Sequence, residues 1–428
     1  MTPLGPSPLT AGDRSISVAQ ARATIAAALR PVLDAGRDSV MLPLSQALGR
    51  VLAADLVSPI DVPAHDNSAM DGYAFAGSAM QPAQPTQLRV RGTVFAGAPF
   101  DGELARGDCL RIMTGAVMPS GLDTVVPQEL CHVDGQTVSI APDTVRVGEN
   151  RRRQGEDLNR GSAALLQGRV LRPADLGLAA SLGLQQLSVY RRLRVALFSS
   201  GDELRGEGQA LDPGCVYDSN RASLTAALQG LGLEVVDLGI VRDDPAALQA
   251  TLQAAMAQAD VVLTSGGVSV GEADHTRALL ARLGTVAFWK VAMRPGRPFA
   301  FGPLQRGGGA RPTWLFALPG NPVAALVTFY VFAREALLHL AGATPMPVPV
   351  LQARCTSAIR KRPGRMEFQR AIVEPAAAGG WQVRLSGSQG AGVLRSMSQA
   401  NALLVLQHEQ GSVAEGELVD VWLFDGLV

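Results

Sequence analysis

The sequence predicts a multidomain α/β protein whose central domain is a parallel sheet wrapped by helices. Three observations predict it. Between residues 193 and 340, short apolar runs alternate with helical patterns, as βαβ units require. The chain has 428 residues, 47% hydrophobic and 18% charged, which is too long for one core and divides into about two to four domains. Residues 59–160 and the tail beyond Pro345 abandon the alternation: Pro and Gly break them into short β-like runs.

The totals exclude several function classes. Lys plus Arg and Asp plus Glu both number 38, so nothing global argues for nucleic acid or an acidic membrane surface. Among the basic residues only Lys290 and Lys361 are lysines. Cys109, Cys131, Cys215 and Cys355 lie far apart without a CxxC pair, and the five histidines are scattered. That spacing argues against zinc and for a reduced, cytoplasmic chain. Met1–Asp13 has no apolar h-region, and no later run reads as long enough to span a bilayer.

Residues 1–15 read as a disordered N-terminus. Ser17 reads as the N-cap of a helix through Val18, Ala21, Ile25 and Leu29, and a second helical pattern covers Leu44, Ala47, Leu48, Val51 and Leu52. In the β-like stretch, Leu88–Val94, Cys109–Met113 and Thr124–Pro127 read as strands. Asp66–Ala74 reads as a polar surface turn, and Met113-Thr114-Gly115 as a strand end with a hydroxyl beside a glycine. Arg151-Arg152-Arg153 followed by Glu156 and Asp157 reads as a solvated loop or, more sharply, as an anion clamp beside a metal carboxylate. Pro173 and Asp175 suit a helix's first turn.

The α/β region opens with a strand at Leu193–Ser199 and the loop Ser200-Gly201-Asp202-Glu203. A helix over residues 220–231 and a strand over 233–240 lead to Asp243, and Pro245–Ala259 reads as an alanine-rich helix. Val261–Leu263 is an apolar strand running into Thr264-Ser265-Gly266-Gly267-Val268-Ser269-Val270-Gly271-Glu272-Ala273-Asp274. A glycine loop between strand and helix points free N–H groups at an anion; the plainer alternative is a βα turn whose acids cap the helix. Val286–Val291 and Trp314–Ala317 read as further strands, the second ending at Leu318-Pro319-Gly320-Asn321-Pro322 before a helix to Leu340. Parallel sheets bind ligands beyond the carboxyl ends of their strands, so topology gathers Glu203, Asp243, Asp274 and Lys290 on one rim. In the tail, Gln352–Thr356, Glu367–Val373, Gln382–Leu385, Ala402–Leu406 and Val419–Phe424 read as strands of a barrel or sandwich.

Six motifs then stand in the order of a known family: Asp66–Ala74, Met113–Gly115, Gly155–Asp157, Ser200–Glu203, Thr264–Asp274 and Leu318–Pro322. The chain resembles the molybdopterin molybdenumtransferases, and the C-terminal part of gephyrin, from about residue 16 to its end. The resemblance implies a helical dimerisation region at 16–58 and 161–191, with a first helix that packs on the α/β domain. It implies a β-rich domain inserted at 59–160, a molybdopterin-binding α/β domain at 192–343 and a C-terminal β-barrel at 344–428.

The resemblance also implies the reaction: molybdate and a divalent metal, Mg²⁺, act on adenylylated molybdopterin, releasing AMP and active molybdenum cofactor. Asp243 and Asp274 are implied to anchor the metal, directly or through water, with Asp157, Glu203 and Lys290 completing the catalytic set. Thr114, Arg152, Ser265, Gly266, Gly267, Ser269, Arg294, Arg297, Pro319, Asn321 and Pro322 are implied to bind the substrates. Family members often carry lysine where this chain has Arg294 and Arg297; arginine keeps the charge but offers a planar fork. The implied partners are a second copy sharing the active site, the adenylyltransferase and acceptor molybdoenzymes, with no nucleic acid and no membrane. The rival readings are a molybdopterin adenylyltransferase, which shares the central module but not the flanking β-rich regions, and a non-catalytic cofactor-binding scaffold.

Overall fold

Alternation of period two places successive side chains of a strand on opposite faces, and the central sheet uses both. A computed structural model describes residues 15–267, 279–306 and 311–427. Its chain forms two units, one comprising residues up to Ala54, Gln167–Arg172 and everything from Ser188, the other Asp55–Leu166 and Pro173–Leu187.

The first unit begins with helix α1 (Val18–Ala28). Ser17 caps it as expected: its side chain accepts from the Gln20 N–H, and the Gln20 side chain answers the Ser17 N–H. Val18, Ala21 and Ile25 are buried in the same core as the α/β sheet. The second expected helix is absent. Ser39–Pro43 is a strand and Leu44–Gln46 a single 3₁₀ turn; Val51 and Leu52 then bridge to Val170 and Val189. Cross-strand pairing satisfies this backbone and overrides the helical spacing of its leucines.

The second unit holds a six-stranded sheet of β1 (Gly72–Phe75), β2 (Thr86–Val94), β3 (Asp108–Ile112), β4 (Thr124–Pro127), β5 (Cys131–Asp134) and β6 (Thr137–Ile140), in the order β4-β1-β3-β2-β6-β5. The segment read as a surface turn therefore ends in an interior strand, every residue of which is buried. Gly72 is required there because a Cβ would stand 2.0 Å from the Val126 carbonyl oxygen. Helix α2 (Pro173–Ser181) follows in this unit.

Back in the first unit, β7 (Arg194–Ser200), α3 (Ser219–Gly230), β8 (Glu234–Val241), α4 (Pro245–Gln258) and β9 (Val261–Ser265) form the expected alternation. Beyond them come β10 (Ala287–Lys290), β11 (Met293–Arg294), β12 (Pro298–Leu304), β13 (Thr313–Leu318) and helix α5 (Pro322–Leu340). The sheet order is β8-β7-β9-β13-β12-β10. Four neighbouring strands are parallel; β12 runs antiparallel to β13, and β10 antiparallel to β12, so β12 alone is reversed in this sheet. Val195 and Leu197 point into one core with α1, α3 and α5, while Ala196 and Phe198 point into the other with α4. By length and mean hydropathy (1.5) α5 could cross a membrane, contrary to the sequence reading; 72% of it is buried inside the protein, as a core helix is.

The tail closes into a five-stranded barrel of β14 (Leu351–Cys355), β15 (Met366–Pro375), β16 (Trp381–Leu385), β17 (Ala402–Leu406) and β18 (Leu418–Leu423), ordered β15-β16-β14-β18-β17 and back to β15. Closure removes the free sheet edges, and β11 joins by pairing with Met366 and Glu367 of β15.

Candidate active site

The four parallel strands are in register: Ser200 lies opposite Val241, Ser199 opposite Ser265, and Ser265 opposite Leu318. Their carboxyl ends therefore open onto one cleft of about 920 Å³. Each following loop supplies one side of it: Glu203 after β7, Asp243 after β8, Gly266 and Gly267 after β9, and Pro319–Pro322 after β13. Arg294 and Arg297 line it from the β11–β12 turn. Nine of the expected residues thus converge (Glu203, Asp243, Gly266, Gly267, Arg294, Arg297, Pro319, Asn321 and Pro322).

The glycine loop is built by backbone chemistry. Gly266 and Gly267 have φ of +89° and +67°, and a Cβ on Gly266 would stand 2.3 Å from the Ser200 carbonyl oxygen. Only glycine fits that left-handed, close-packed turn. Ser265 is buried behind the loop, not on its surface. Its hydroxyl accepts from Asn220 Nδ2 at 2.6 Å and donates to the Pro319 carbonyl at 3.3 Å. Asn220 Nδ2 also donates to the Gly320 carbonyl at 2.7 Å, so one amide ties the glycine loop to the Pro-Gly-Asn-Pro turn. Asn321, which lines the cleft, occupies the N-cap position of α5 without making a capping hydrogen bond.

The charges are divided. The Ser200 hydroxyl donates to Asp243 Oδ1 at 2.5 Å, and among the described residues neither Asp243 nor Glu203 pairs with a cation. Arg294 and Arg297 likewise have no carboxylate partner among the described residues. Unpaired charges of both signs suit a ligand that carries anionic groups and a cation together. Lys290 does not line the cleft: it ends edge strand β10, and its carbonyl accepts from the Ile16 N–H at 3.0 Å. Asp274 and Ser269 lie outside the described residues.

The remaining expected residues assemble in the second unit. Thr114 donates to Asp71 Oδ1 twice, from its N–H and its hydroxyl, both at 2.7 Å. These bonds hold the Asp71 carboxyl below its ordinary value of 3.8. Arg152 Nε meets Glu156 Oε1 at 2.9 Å, while Asp157 donates its N–H to the Val62 carbonyl. The Gln154 N–H donates to Asp66 Oδ1 at 2.8 Å, and Arg151 pairs with the same carboxylate. Thus Asp66–Ala74, Met113–Gly115 and Gly155–Asp157, distant in sequence, come together here.

Sequence reading missed Asp71, Asn220 and Asp218. Asp218 was detectable as the N-cap of α3, accepting from the Arg221 N–H, but nothing in its neighbourhood pointed to the cleft. It also missed Gln389, Ala391 and Gly392 of the barrel, which complete the cleft wall.

Comparison with known proteins finds relatives along nearly the whole chain. Residues 16–183 match the family described as MoeA N-terminal region (domain I and II), residues 196–339 the "Probable molybdopterin binding domain", and residues 352–424 the MoeA C-terminal region (domain IV). A molybdopterin molybdenumtransferase of Haemophilus influenzae is 42% identical over 90% of this chain and 94% of its own. Gephyrin of Dictyostelium discoideum is 29% identical over 88% of this chain and 58% of its own. The crystal structure of a molybdopterin biosynthesis moeA protein from Pyrococcus horikoshii superposes with a TM-score of 0.81 at 26% identity, covering 96% of this chain and all of that one. Cleft, closed barrel and near full-length similarity converge: the chain belongs to the molybdopterin molybdenumtransferase family.

Proposed function

We propose that the chain inserts molybdenum into adenylylated molybdopterin, consuming molybdate and releasing AMP and active molybdenum cofactor in the cytoplasm. The observation that carries this reading is the cleft itself. A glycine loop, two guanidiniums and two carboxylates, none of them ion-paired among the described residues, meet at the carboxyl ends of four parallel strands, in a member of this family.

Phosphoryl chemistry asks a protein mainly to position groups and neutralise charge. The Gly266 N–H is committed to the Leu318 carbonyl, so the backbone N–H of Gly267 and the guanidiniums of Arg294 and Arg297 would hold anionic oxygens, and Asn321 would orient the ligand against them. The donor set also fits Mg²⁺. Asp243 and Glu203 offer hard oxygens, and no group of three or more His, Cys, Asp or Glu gathers among the described residues. Hard carboxylate oxygens suit an ion that keeps several waters and takes phosphate oxygens from the substrate. Asp243 and Asp274 would hold it, and when bound it would supply charge neutralisation at the pyrophosphate link.

The working enzyme is proposed to be a homodimer in which Thr114, Arg152 and Asp157 serve the cleft of the other subunit. Purified adenylylated molybdopterin, incubated with the protein, should yield AMP and active cofactor only when molybdate and Mg²⁺ are both present. Full conversion with either omitted refutes that requirement. Adenylylation of molybdopterin from ATP would assign the adenylyltransferase reaction instead.

A further inference from the structure

The barrel carries a second concavity, of about 750 Å³, lined by Arg294, Arg360, Lys361, Arg362, Arg365 and Glu367. Five cations thus face one carboxylate, in a chain whose formal net charge is zero. That carboxylate is already committed: Glu367, 2% exposed, accepts from Arg365 Nε and from Gln369 Nε2, both at 2.9 Å. Lys361 is 6% exposed, and its ammonium donates to backbone carbonyls, the shortest bond being 2.6 Å to Gln410. Those carbonyls satisfy its protons without cancelling its charge. The guanidiniums of Arg294, Arg360 and Arg362 have neither an ion-pair nor a hydrogen-bond partner among the described residues.

The backbone that presents these cations is pinned. The Lys361 N–H donates to Ser412 Oγ at 3.2 Å, the Gly364 N–H donates to the His408 carbonyl at 3.0 Å, and strand pairing with β15 fixes Arg294. The repulsion among the cations is therefore held in place, because the loop cannot splay to relieve it. An anion seated in the concavity relieves it, and planar guanidinium forks match tetrahedral oxyanions best.

We propose that this concavity is an oxyanion site that holds molybdate beside the cleft. Arg294 lines both spaces and connects them. The assignment to molybdate rests on the reaction proposed above; the oxyanion chemistry does not. Two sources could present that chemistry, free molybdate or the phosphate of the nucleotide-bearing substrate.

The test is equilibrium dialysis of molybdate and, separately, of AMP against the full-length protein and its Arg360→Gln/Arg362→Gln variant. Lys361 stays intact in this variant so that the loop remains pinned. Molybdate should bind the variant at least about tenfold more weakly, as loss of two charge-assisted contacts implies. Sulfate should compete in the wild type, and AMP binding should hold. Weakened AMP binding with intact molybdate binding overturns the assignment to molybdate. Unchanged binding of both, at an unchanged melting temperature, overturns the site. Turnover separates this proposal from its parent. Cofactor formation with an unshifted molybdate requirement in the variant removes the holding site and leaves the reaction. Molybdate binding lost in the variant, without any cofactor formation by the wild type, does the reverse.

Discussion

Gly266 shows how much of the site depends on single atoms. A methyl group there meets the Ser200 carbonyl at 2.3 Å, and the backbone has a φ of +89° that L-residues avoid. Gly266→Ala should therefore cost about 1–3 kcal/mol of stability, the range for a residue forced into such a conformation. It should weaken phosphate-ligand binding more than its loss of melting temperature explains; calorimetry alongside AMP titration checks both. Asp243→Asn keeps the shape and the acceptor for Ser200 Oγ but removes a charge from the cleft. Turnover should fall by at least about tenfold at limiting Mg²⁺ if this carboxylate anchors the ion, and a rate indistinguishable from wild type would exclude Asp243 from that role. Thr114 gives the pH test. Its two bonds lower the Asp71 pKa, so they stabilise the fold above the ordinary carboxyl value of 3.8 and lose effect as pH falls through the lower folded value. Thr114→Val removes the hydroxyl donor and keeps the N–H, so the Asp71 titration followed by NMR should move part of the way back toward 3.8.

Whole elements reach the cleft through one buried cation. Arg370 on β15 is 1% exposed, and its guanidinium donates to the carbonyls of Ser388, Gln389 and Gly390 and to Ser396 Oγ. Burial, and to a lesser degree the nearby charge of Arg294, pushes it down to about 10. These bonds set the loop whose Gln389 and Ala391 wall the cleft. Arg370→Met should strand three carbonyls and destabilise the chain by about 3 kcal/mol, at one to a few kcal/mol for each buried group left unsatisfied. A melting temperature within a degree of wild type would contradict that. None of this was legible in the sequence, because Arg370 and Gln389 meet through the curvature of a closed barrel. Apolar strands between turn signals were legible: Val261–Ser265, Ala402–Leu406 and Thr124–Pro127 announce themselves by composition. Strand β1 did not, since a run of only four residues after a polar loop carries no period. Strand β12 begins with Pro298, which disguised an antiparallel neighbour inside an expected parallel sheet. Ser265 read as a ligand contact because sequence gives a hydroxyl's position in the loop but not which side of it faces the cleft.

At the scale of the molecule, the residues expected to act together are divided between two units: Thr114, Arg152 and Asp157 in one, Glu203 and Asp243 in the other. Each group is internally ordered, and neither alone contains the full catalytic set. The proposed dimer resolves the division by building each site from the second unit of one subunit and the cleft of its neighbour. The proposal is tested by complementation. Asp157→Ala and Asp243→Ala homodimers should each be inactive, because every site carries one lesion. In a mixed dimer both lesions fall in the same site and the other is intact. After random exchange about half of the dimers are mixed, each with one working site, so roughly a quarter of wild-type turnover should return, as the two-fold symmetry of such an interface dictates. Exchange must be verified by native mass spectrometry on differently tagged subunits. Verified mixed dimers without recovered turnover would place both carboxylates in sites made by one chain, or require the two sites to work together. Recovery near a quarter has no equivalent explanation in a single-chain site, since there a mixed dimer carries a lesion in each.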